Sequence, residues 1–309
     1  MGRTEVPVYP GASSGLERSA VHAPDIHGET GLDGTNLLPV PTVKHVDEPA
    51  IQAMAAALLK CKPGSAWVVA TGATTNVAQL FTAYPDVAAH IKGLSIMGGA
   101  LGGGFTNAVM GKVDDRARIG NWSQWAEFNI LIDPEAAASI FQNPVLAPKT
   151  VLIPLDVTHQ VLATSDIQNL LLYGKDRVHG KTRLRVMLVE LLTFFAKTYA
   201  DTFGITDGPP LHDPLAVAVC LDGIIGAEIP FHDFKEGGKR ERYQVHVVTE
   251  GTHEEAHAGA ETGRTIATLL PDGKEGVKIP RSLNVARFWS TVEDCMEIAD
   301  KVNKANGLV

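Results

Sequence analysis

The chain has 309 residues, of which 45% are hydrophobic and 20% charged, and its formal net charge at pH 7 is −8. This composition is typical of a soluble globular protein. The negative charge argues against nonspecific nucleic-acid binding, which needs clustered Lys and Arg, and no run of about 18 apolar residues predicts a membrane span. Three scattered cysteines and the lack of a secretion signal favour a reducing, cytoplasmic location.

Short apolar runs alternate with helical stretches along the first half of the chain. Asp47, as an N-cap, and Pro49, in the first turn, predict a helix that extends to Cys61. The sequence around Asp133 has the same cap chemistry and predicts a second helix of this kind. Three continuous apolar runs predict buried strands: 66–70, 94–97 and 150–157.

Continuous apolar strands separated by helices predict an α/β fold, with a mostly parallel sheet covered by helices on both faces. In such sheets, ligands bind beyond the carboxyl ends of the strands. The loops that follow the three predicted strands are 71–76, the glycine-rich segment from 98 onward, and 156–160. We therefore expect the functional site where these loops meet.

The second half of the chain predicts further elements of both kinds. A long amphipathic helix covers 183–199, and another helix begins at 212–214. The patterns of segments 243–249 and 262–270 predict two strands that pair with each other. Residues 290–293, Ser-Thr-Val-Glu, predict a capping box at the start of the final helix.

The chain contains neither repeats nor a clear linker, so residues 1–309 are predicted to form one domain. An α/β sheet usually begins with a strand and its crossover helix. Residues 1–46 instead read as loop sequence with one weak strand over 6–9. The first β–α unit is therefore expected to be missing.

The segment His253-Glu254-Glu255-Ala256-His257 matches the HExxH pattern of zinc proteases, in which both histidines lie one turn apart on a helix. Here the match lies between two strand-like segments, is flanked by glycine and has no apolar helical face. We expect a solvated hairpin loop. The zinc alternative requires His253 and His257 to lie on a helix.

A polar segment precedes the helix at Asp133 and places Asn121, Glu127 and Asn129 within nine residues. Carboxylate and carboxamide groups together suit a diol, because each sugar hydroxyl both donates and accepts a hydrogen bond. The alternative is a polar loop without a ligand.

Two histidines are further candidates. His212 is followed by Asp213 at a predicted helix start, where the pair could supply an acid or base and an oxygen ligand for a hard cation. A simple N-cap is the alternative role for Asp213. His27 lies in a predicted loop and by itself would be an ordinary loop histidine.

Seven segments, taken in order, resemble the inosine–uridine-preferring nucleoside hydrolase family. They are HGETGLDG (27–34), VVATGATTNVA (68–78), IMGGA (96–100), GNWSQWAEFNI (120–130), DPEAA (133–137), LDVTHQ (155–160) and ITDGPPLHDPLAVA (205–218). The resemblance covers about residues 4–300. It implies an enzyme of purine or pyrimidine salvage, usually a homo-oligomer, that hydrolyses the N-glycosidic bond of ribonucleosides to ribose and free base.

The resemblance also implies roles for individual residues. His212 would protonate the leaving base. Asp213 and the backbone carbonyl of Thr71 would coordinate calcium, while Trp125 or Tyr199 is a candidate for stacking on the base. Substrate binding would fall to five residues: His27, Met97, Asn121, Glu127 and Asn129.

One family feature has no counterpart in this sequence. The DxDxxxDD cluster, which in the family supplies the general base and most calcium ligands, is not found before His27. Calcium takes about six to eight oxygen ligands, so Asp213 and one carbonyl should bind it poorly. The alternative function is therefore a catalytically inactive homologue that binds nucleosides.

Overall fold

The structure is a computed structural model and describes residues 2–22, 28, 31–113, 116–175, 177, 182–235 and 237–308. The helices are α1 (Ala50–Lys60), α2 (Thr75–Ala83), α3 (Asp86–His90), α4 (Phe128–Ile132), α5 (Pro134–Phe141), α6 (Leu155–Thr158), α7 (Ser165–Tyr173), α8 (Arg183–Phe203), α9 (Asp213–Ala218), α10 (His253–His257) and α11 (Val285–Ala305). The strands are β1 (Trp67–Ala70), β2 (Gly93–Met97), β3 (Lys112–Val113), β4 (Arg116–Ala117), β5 (Thr150–Ile153), β6 (Phe231–His232), β7 (Tyr243–Val247), β8 (Thr265–Leu269) and β9 (Ser282–Leu283).

Strands β1, β2 and β5 form a parallel sheet in that order, with Val68 opposite Leu94 and Ile96 opposite Leu152. The three predicted buried strands are confirmed. The third is shorter than predicted, since β5 ends at Ile153 and α6 begins directly after Pro154. Because the strands are parallel, the loops that follow them share one edge of the sheet.

Helices cover both faces of this sheet, as the apolar pattern predicted. Along β2, Leu94 and Ile96 point into an apolar cluster with residues of α2 and α5. Met97 joins a second cluster on the other face, with residues of α9 and α11. The hydroxyl of Ser95 donates to the carbonyl of Ala216 at 2.8 Å, which fixes α9 on that face.

Side-chain caps determine where several helices begin. Asp133 accepts from the backbone N–H of Ala136 at 3.0 Å and caps α5 as predicted. The predicted cap at Asp47 is wrong, because α1 begins at Ala50 with Pro49 in the cap position. The predicted capping box at 290–293 is also wrong. Asn284 caps α11, which therefore begins earlier in the chain.

The remaining strands form antiparallel pairs. β7 and β8 pair with Val245 opposite Ala267, which confirms the predicted partnership. The weak strand predicted at 6–9 is not formed. Its Val8 carbonyl accepts from Val46 N–H at 2.8 Å, within extended chain. No helix among the described residues is long and apolar enough to cross a membrane.

A buried ion-pair network joins α7, α8 and α11. The guanidinium of Arg185 donates to both carboxylate oxygens of Glu293 at 2.9 Å and to Asp300 at 2.5 Å. It also donates to the carbonyl of Leu171 at 2.6 Å. Arg185 and Glu293 have no exposed side-chain surface. Each charge in this network therefore depends on its partner, because a buried unpaired charge is costly.

We expect Glu293→Ala to lower the free energy of unfolding by about 3–5 kcal/mol, because it leaves Arg185 buried without its bidentate partner. Asp294→Ala is the matched control, since Asp294 pairs with Lys175 at a half-exposed position. That substitution should cost less than about 1 kcal/mol. Urea unfolding of both variants, followed by circular dichroism, tests the difference. Similar small losses would contradict a structural role for the network.

Candidate active site

The glycine-rich loop after β2 is fixed to α6 by one carboxylate. Asp156 accepts from the backbone N–H groups of Leu101 and Gly102 at 2.8 and 2.9 Å. Gly102 has a φ of 61°, and a Cβ there would lie 2.7 Å from the side chain of Ile119. Burial raises the pKa of Asp156, while the two N–H groups oppose this rise. The loop after β2 and the segment after β5 therefore form one connected structure.

Glu127 joins the same loop to the start of α4. Its Oε2 accepts from Gly99 N–H at 2.8 Å and from Ile130 N–H at 3.2 Å, and its Oε1 accepts from Asn129 N–H at 2.9 Å. The side chain caps α4 and is only 2% exposed. Three backbone donors thus fix both carboxylate oxygens in position.

Burial raises the pKa of Glu127 to about 7, although its three backbone hydrogen bonds favour the ionised form. The charge of Asp213 adds to the rise, which means that the two carboxylates are near enough to repel each other. At neutral pH, Glu127 is therefore divided between its acid and its carboxylate form.

The two carboxamides predicted to bind substrate lie on either side of Glu127 in sequence, and each has a structural partner. Asn129 donates from Nδ2 to the carbonyl of Met97 at 3.0 Å, at the end of β2. Asn121 accepts at Oδ1 from Phe128 N–H at 2.9 Å. Gly120 is required here, because a Cβ would lie 1.9 Å from the carbonyl oxygen of Ala126.

His212 lies between two hydroxyl groups. Its Nε2 is 2.5 Å from the hydroxyl of Tyr199, and its Nδ1 is 2.8 Å from Oγ1 of Thr158. The Thr158 hydroxyl donates to the carbonyl of Leu155 at 3.4 Å, so it is free to accept from Nδ1–H. Nε2 then accepts from the O–H of Tyr199.

Both members of this pair are neutral at pH 7. Burial, together with the nearby His159, lowers the pKa of His212 to about 3. Burial also raises the pKa of Tyr199, and the charges of Glu127 and Asp213 raise it further. The Tyr199 proton therefore lies in a short hydrogen bond to an unprotonated imidazole nitrogen.

Asp213 occupies the first position of α9, and His212 precedes it in the cap position, so a simple N-cap role for Asp213 is wrong. Asp213 is exposed, as is Thr71, which directly follows β1. Within the described residues, no group of three or more His, Cys, Asp or Glu side chains could hold a metal ion. Calcium needs about six to eight oxygen ligands, and both oxygens of Glu127 already accept N–H groups. The described residues therefore do not fit a calcium site.

The structure brings most of the predicted residues together. Direct hydrogen bonds connect Met97 to Asn129 and Asn129 to Glu127. The charge of Asp213 raises the pKa of Glu127 and also that of Tyr199, the partner of His212. His27 lies outside the described residues.

Two residues were not predicted from the sequence: Thr158, which contacts His212, and Asp156, which holds the glycine-rich loop. Both lie in the LDVTHQ segment, where their position directly after a buried strand was the available signal. Of the two stacking candidates, Tyr199 contacts His212, with their ring centroids 5.5 Å apart. Trp125 instead packs beneath the guanidinium of Arg264, 4.6 Å from the ring centroid.

The HExxH segment is a helix, α10, so the predicted hairpin loop is wrong. Thr252 and Glu255 form a capping box at its start, which compensates for the flanking glycines. The two histidines contact different parts of the protein. His253 donates from Nε2 to the carbonyl of Leu131 at 3.1 Å, while the ring of His257 lies 5.4 Å from that of Trp122. Among the residues described, no third ligand completes a zinc site with them.

The comparisons with known proteins agree on one class. Residues 1–290 match the family model "Inosine-uridine preferring nucleoside hydrolase". The uridine nucleosidase of Saccharomyces cerevisiae is 33% identical over 98% of this chain and 82% of its own length. A pyrimidine-specific ribonucleoside hydrolase, RihA, of Salmonella arizonae is 38% identical over 71% of this chain and 62% of its own length. The solved purine-preferring ribonucleoside hydrolase from Gardnerella vaginalis superposes with a TM-score of 0.73 at 26% identity, over 97% of this chain and 83% of that one.

Fold and comparisons together define a nucleoside-hydrolysing enzyme with a parallel sheet covered by helices. More particularly, the chain belongs to the inosine–uridine preferring nucleoside hydrolase family. The reaction of this family is hydrolysis of the N-glycosidic bond of ribonucleosides.

The pKa of Glu127 predicts how stability depends on pH. Its folded value of about 7 lies above the ordinary value of 4.5, so the folded state holds this proton more tightly than the unfolded state. The resulting stabilisation is complete below pH 4.5 and is lost as the pH rises through about 7. We expect the free energy of unfolding of the native protein to fall, relative to Glu127→Gln, by on the order of 1–3 kcal/mol across this window. Urea unfolding at several pH values measures this difference, and parallel curves for the two proteins would refute the raised pKa.

Proposed function

We propose that this chain hydrolyses ribonucleosides to ribose and free base at the group of side chains beyond the carboxyl ends of β1, β2 and β5. The main support is that the fixed carboxylate of Glu127 lies near enough to the neutral Tyr199–His212 pair for its charge to raise the pKa of Tyr199. These groups suit the two ends of a glycosidic bond that breaks into a cationic sugar and an anionic base.

At the sugar end, we assign the ribose hydroxyls to Asn121, Glu127 and Asn129, above Met97. As the bond breaks, positive charge develops on the ribose ring. The ionised carboxylate of Glu127 stabilises that positive charge. Because backbone donors already fix the carboxylate, it does not need to reorganise. His27 belongs to the proposed base side.

At the base end, we assign proton transfer to His212 together with Tyr199. A neutral imidazole with a lowered pKa is a poor acid by itself. Negative charge on the departing base raises its affinity for a proton, and the hydrogen-bonded Tyr199–His212 pair supplies one. The water that adds to the ribose carbon releases a proton in the same reaction, and this proton restores the pair. Thr158 holds the opposite ring nitrogen and keeps the imidazole in a single tautomer.

Uridine is the first substrate to test, because one relative that matches nearly the whole chain is a uridine nucleosidase. We further propose a single domain that acts as a cytoplasmic homo-oligomer in nucleoside salvage, in keeping with the acidic composition and the family resemblance.

A second candidate is a homologue that binds nucleosides without hydrolysing them. The ligand count favours this candidate, because among the described residues Asp213 and the carbonyl of Thr71 supply too few ligands for calcium. Nucleoside binding by calorimetry, without ribose release from the same sample, would support this candidate over the first.

We expect His212→Ala to lower kcat for ribose release from uridine by about 100-fold or more, because proton transfer to the base is lost. Tyr199→Phe should also lower kcat and leave KM nearly unchanged. His246→Ala, on the exposed side of β7, is the matched histidine control and should keep full activity. A reducing-sugar assay with uridine and then inosine measures these rates. Full activity of folded His212→Ala would remove the proposed role.

Calcium is the cofactor that the resemblance implies, with Asp213 and Thr71 as its ligands. From the described residues we expect only weak binding, so added calcium should leave the melting temperature nearly unchanged in both the native protein and Asp213→Asn. Differential scanning calorimetry with calcium and with chelator provides the measurement. A large calcium-dependent rise that Asp213→Asn abolishes would contradict this expectation.

A further inference from the structure

A cavity of about 320 Å³ lies beside the glycine-rich loop on the side of β8. Gly102 to Gly104 line it, together with the start of β8 and three cationic side chains: Lys235, Arg264 and Arg281. Among the described residues, no Asp or Glu lines this cavity, and neither does any residue assigned above to nucleoside binding. The charged side chains that line the cavity are therefore all cationic, as binding of an anion requires.

One of the three cations forms the wall of the cavity. The guanidinium of Arg281 lies over the ring of Phe105, 4.2 Å from its centroid. It is paired with Glu241 at 2.5 Å, and it also donates to the hydroxyl of Tyr243 and to the carbonyl of Phe105. Its donors are thus engaged within the protein, and its position is fixed.

The other two cations retain donors for a ligand. Arg264 uses Nη1 to bind Glu261 at 2.5 Å, and its remaining N–H groups have no acceptor among the described residues. Lys235 is exposed and forms no close ion pair among the described residues, although its charge helps to lower the pKa of Glu241. Gly103 and Gly104 add two backbone N–H groups that likewise lack a described acceptor. The residues that line the cavity therefore include several donors without a described acceptor.

A buried hydroxyl at the same cavity also lacks a partner. Thr265 is 3% exposed, yet its Oγ1 makes no hydrogen bond. It lies against Gly99, where a Cβ would be 3.0 Å from this oxygen. A buried hydroxyl without a partner costs free energy, so its retention at this position points to a ligand that completes it.

We propose that this cavity binds a phosphoryl group, either as free phosphate or as the phosphate of a small sugar phosphate. Tetrahedral oxyanions accept hydrogen bonds in several directions, which matches donors from Lys235, Arg264, the loop N–H groups and the Thr265 hydroxyl. A cavity of this size lies at the lower end of those that hold small ligands. The proposal does not depend on nucleoside hydrolysis.

Isothermal titration calorimetry of the whole chain with inorganic phosphate, ribose 5-phosphate and ribose tests this site. We expect Lys235→Ala and Arg264→Gln each to weaken phosphate binding about tenfold or more. Lys274→Ala, an exposed lysine away from the cavity, is the matched control and should leave binding unchanged. Tighter binding of ribose 5-phosphate than of phosphate identifies a sugar phosphate as the ligand, and equal binding identifies phosphate itself.

Thr265→Val separates a ligand-binding role from a structural one. If the Thr265 hydroxyl forms a hydrogen bond only with the ligand, its removal should leave the melting temperature unchanged or raise it, and should weaken phosphate binding. Absence of phosphate binding by the folded native chain would overturn the proposal. Unchanged binding in the Lys235, Arg264 and Thr265 variants would do the same, because the anion would then bind elsewhere.

Discussion

The carboxylate of Glu127 is the group on which the arrangement of the site depends. Its three backbone hydrogen bonds connect the loop after β2 to the first turn of α4, and Asp156 holds the next part of that loop against α6. Two buried acidic side chains thus replace the regular backbone pairing that ends where the strands end. These contacts fix the course of the loop although it is rich in glycine.

The same burial sets the protonation states on which the chemistry depends. Removing His212 and Tyr199 from water favours their neutral forms, so a proton can be shared between them without a fixed charge. Burial acts in the opposite sense on Glu127, whose ionised form it penalises. The site therefore contains a carboxylate that is easily protonated and an imidazole that is not. Enzymes use such a separation of acid and base character at neutral pH.

The sequence predicted the central sheet well, because three continuous apolar runs leave few alternatives to buried parallel strands. It predicted helix starts poorly where tertiary contacts decide them. Glu293 fits a capping box by local pattern, but pairing with Arg185 across two helices places it in the middle of α11. Thr158 and Asp156 were missed for a related reason, since their partners are distant in sequence. The α10 helix was missed because two flanking glycines outweighed the Thr252–Glu255 capping box in the interpretation.

The two carboxylates of the site, Glu127 and Asp213, favour a cationic ligand over a neutral one. Burial is the main cause of the pKa of Glu127 near 7, and repulsion between the anions of Glu127 and Asp213 adds a smaller contribution. A neutral nucleoside in the ground state does not relieve the repulsion, whereas a ribose ring with developing positive charge does. Interactions that strengthen only in the transition state accelerate a reaction, and those that act equally on the substrate do not. Solvent screens the charge of the exposed Asp213 and weakens its interaction with the ribose cation. The buried carboxylate of Glu127 therefore makes the larger contribution to stabilising the transition state.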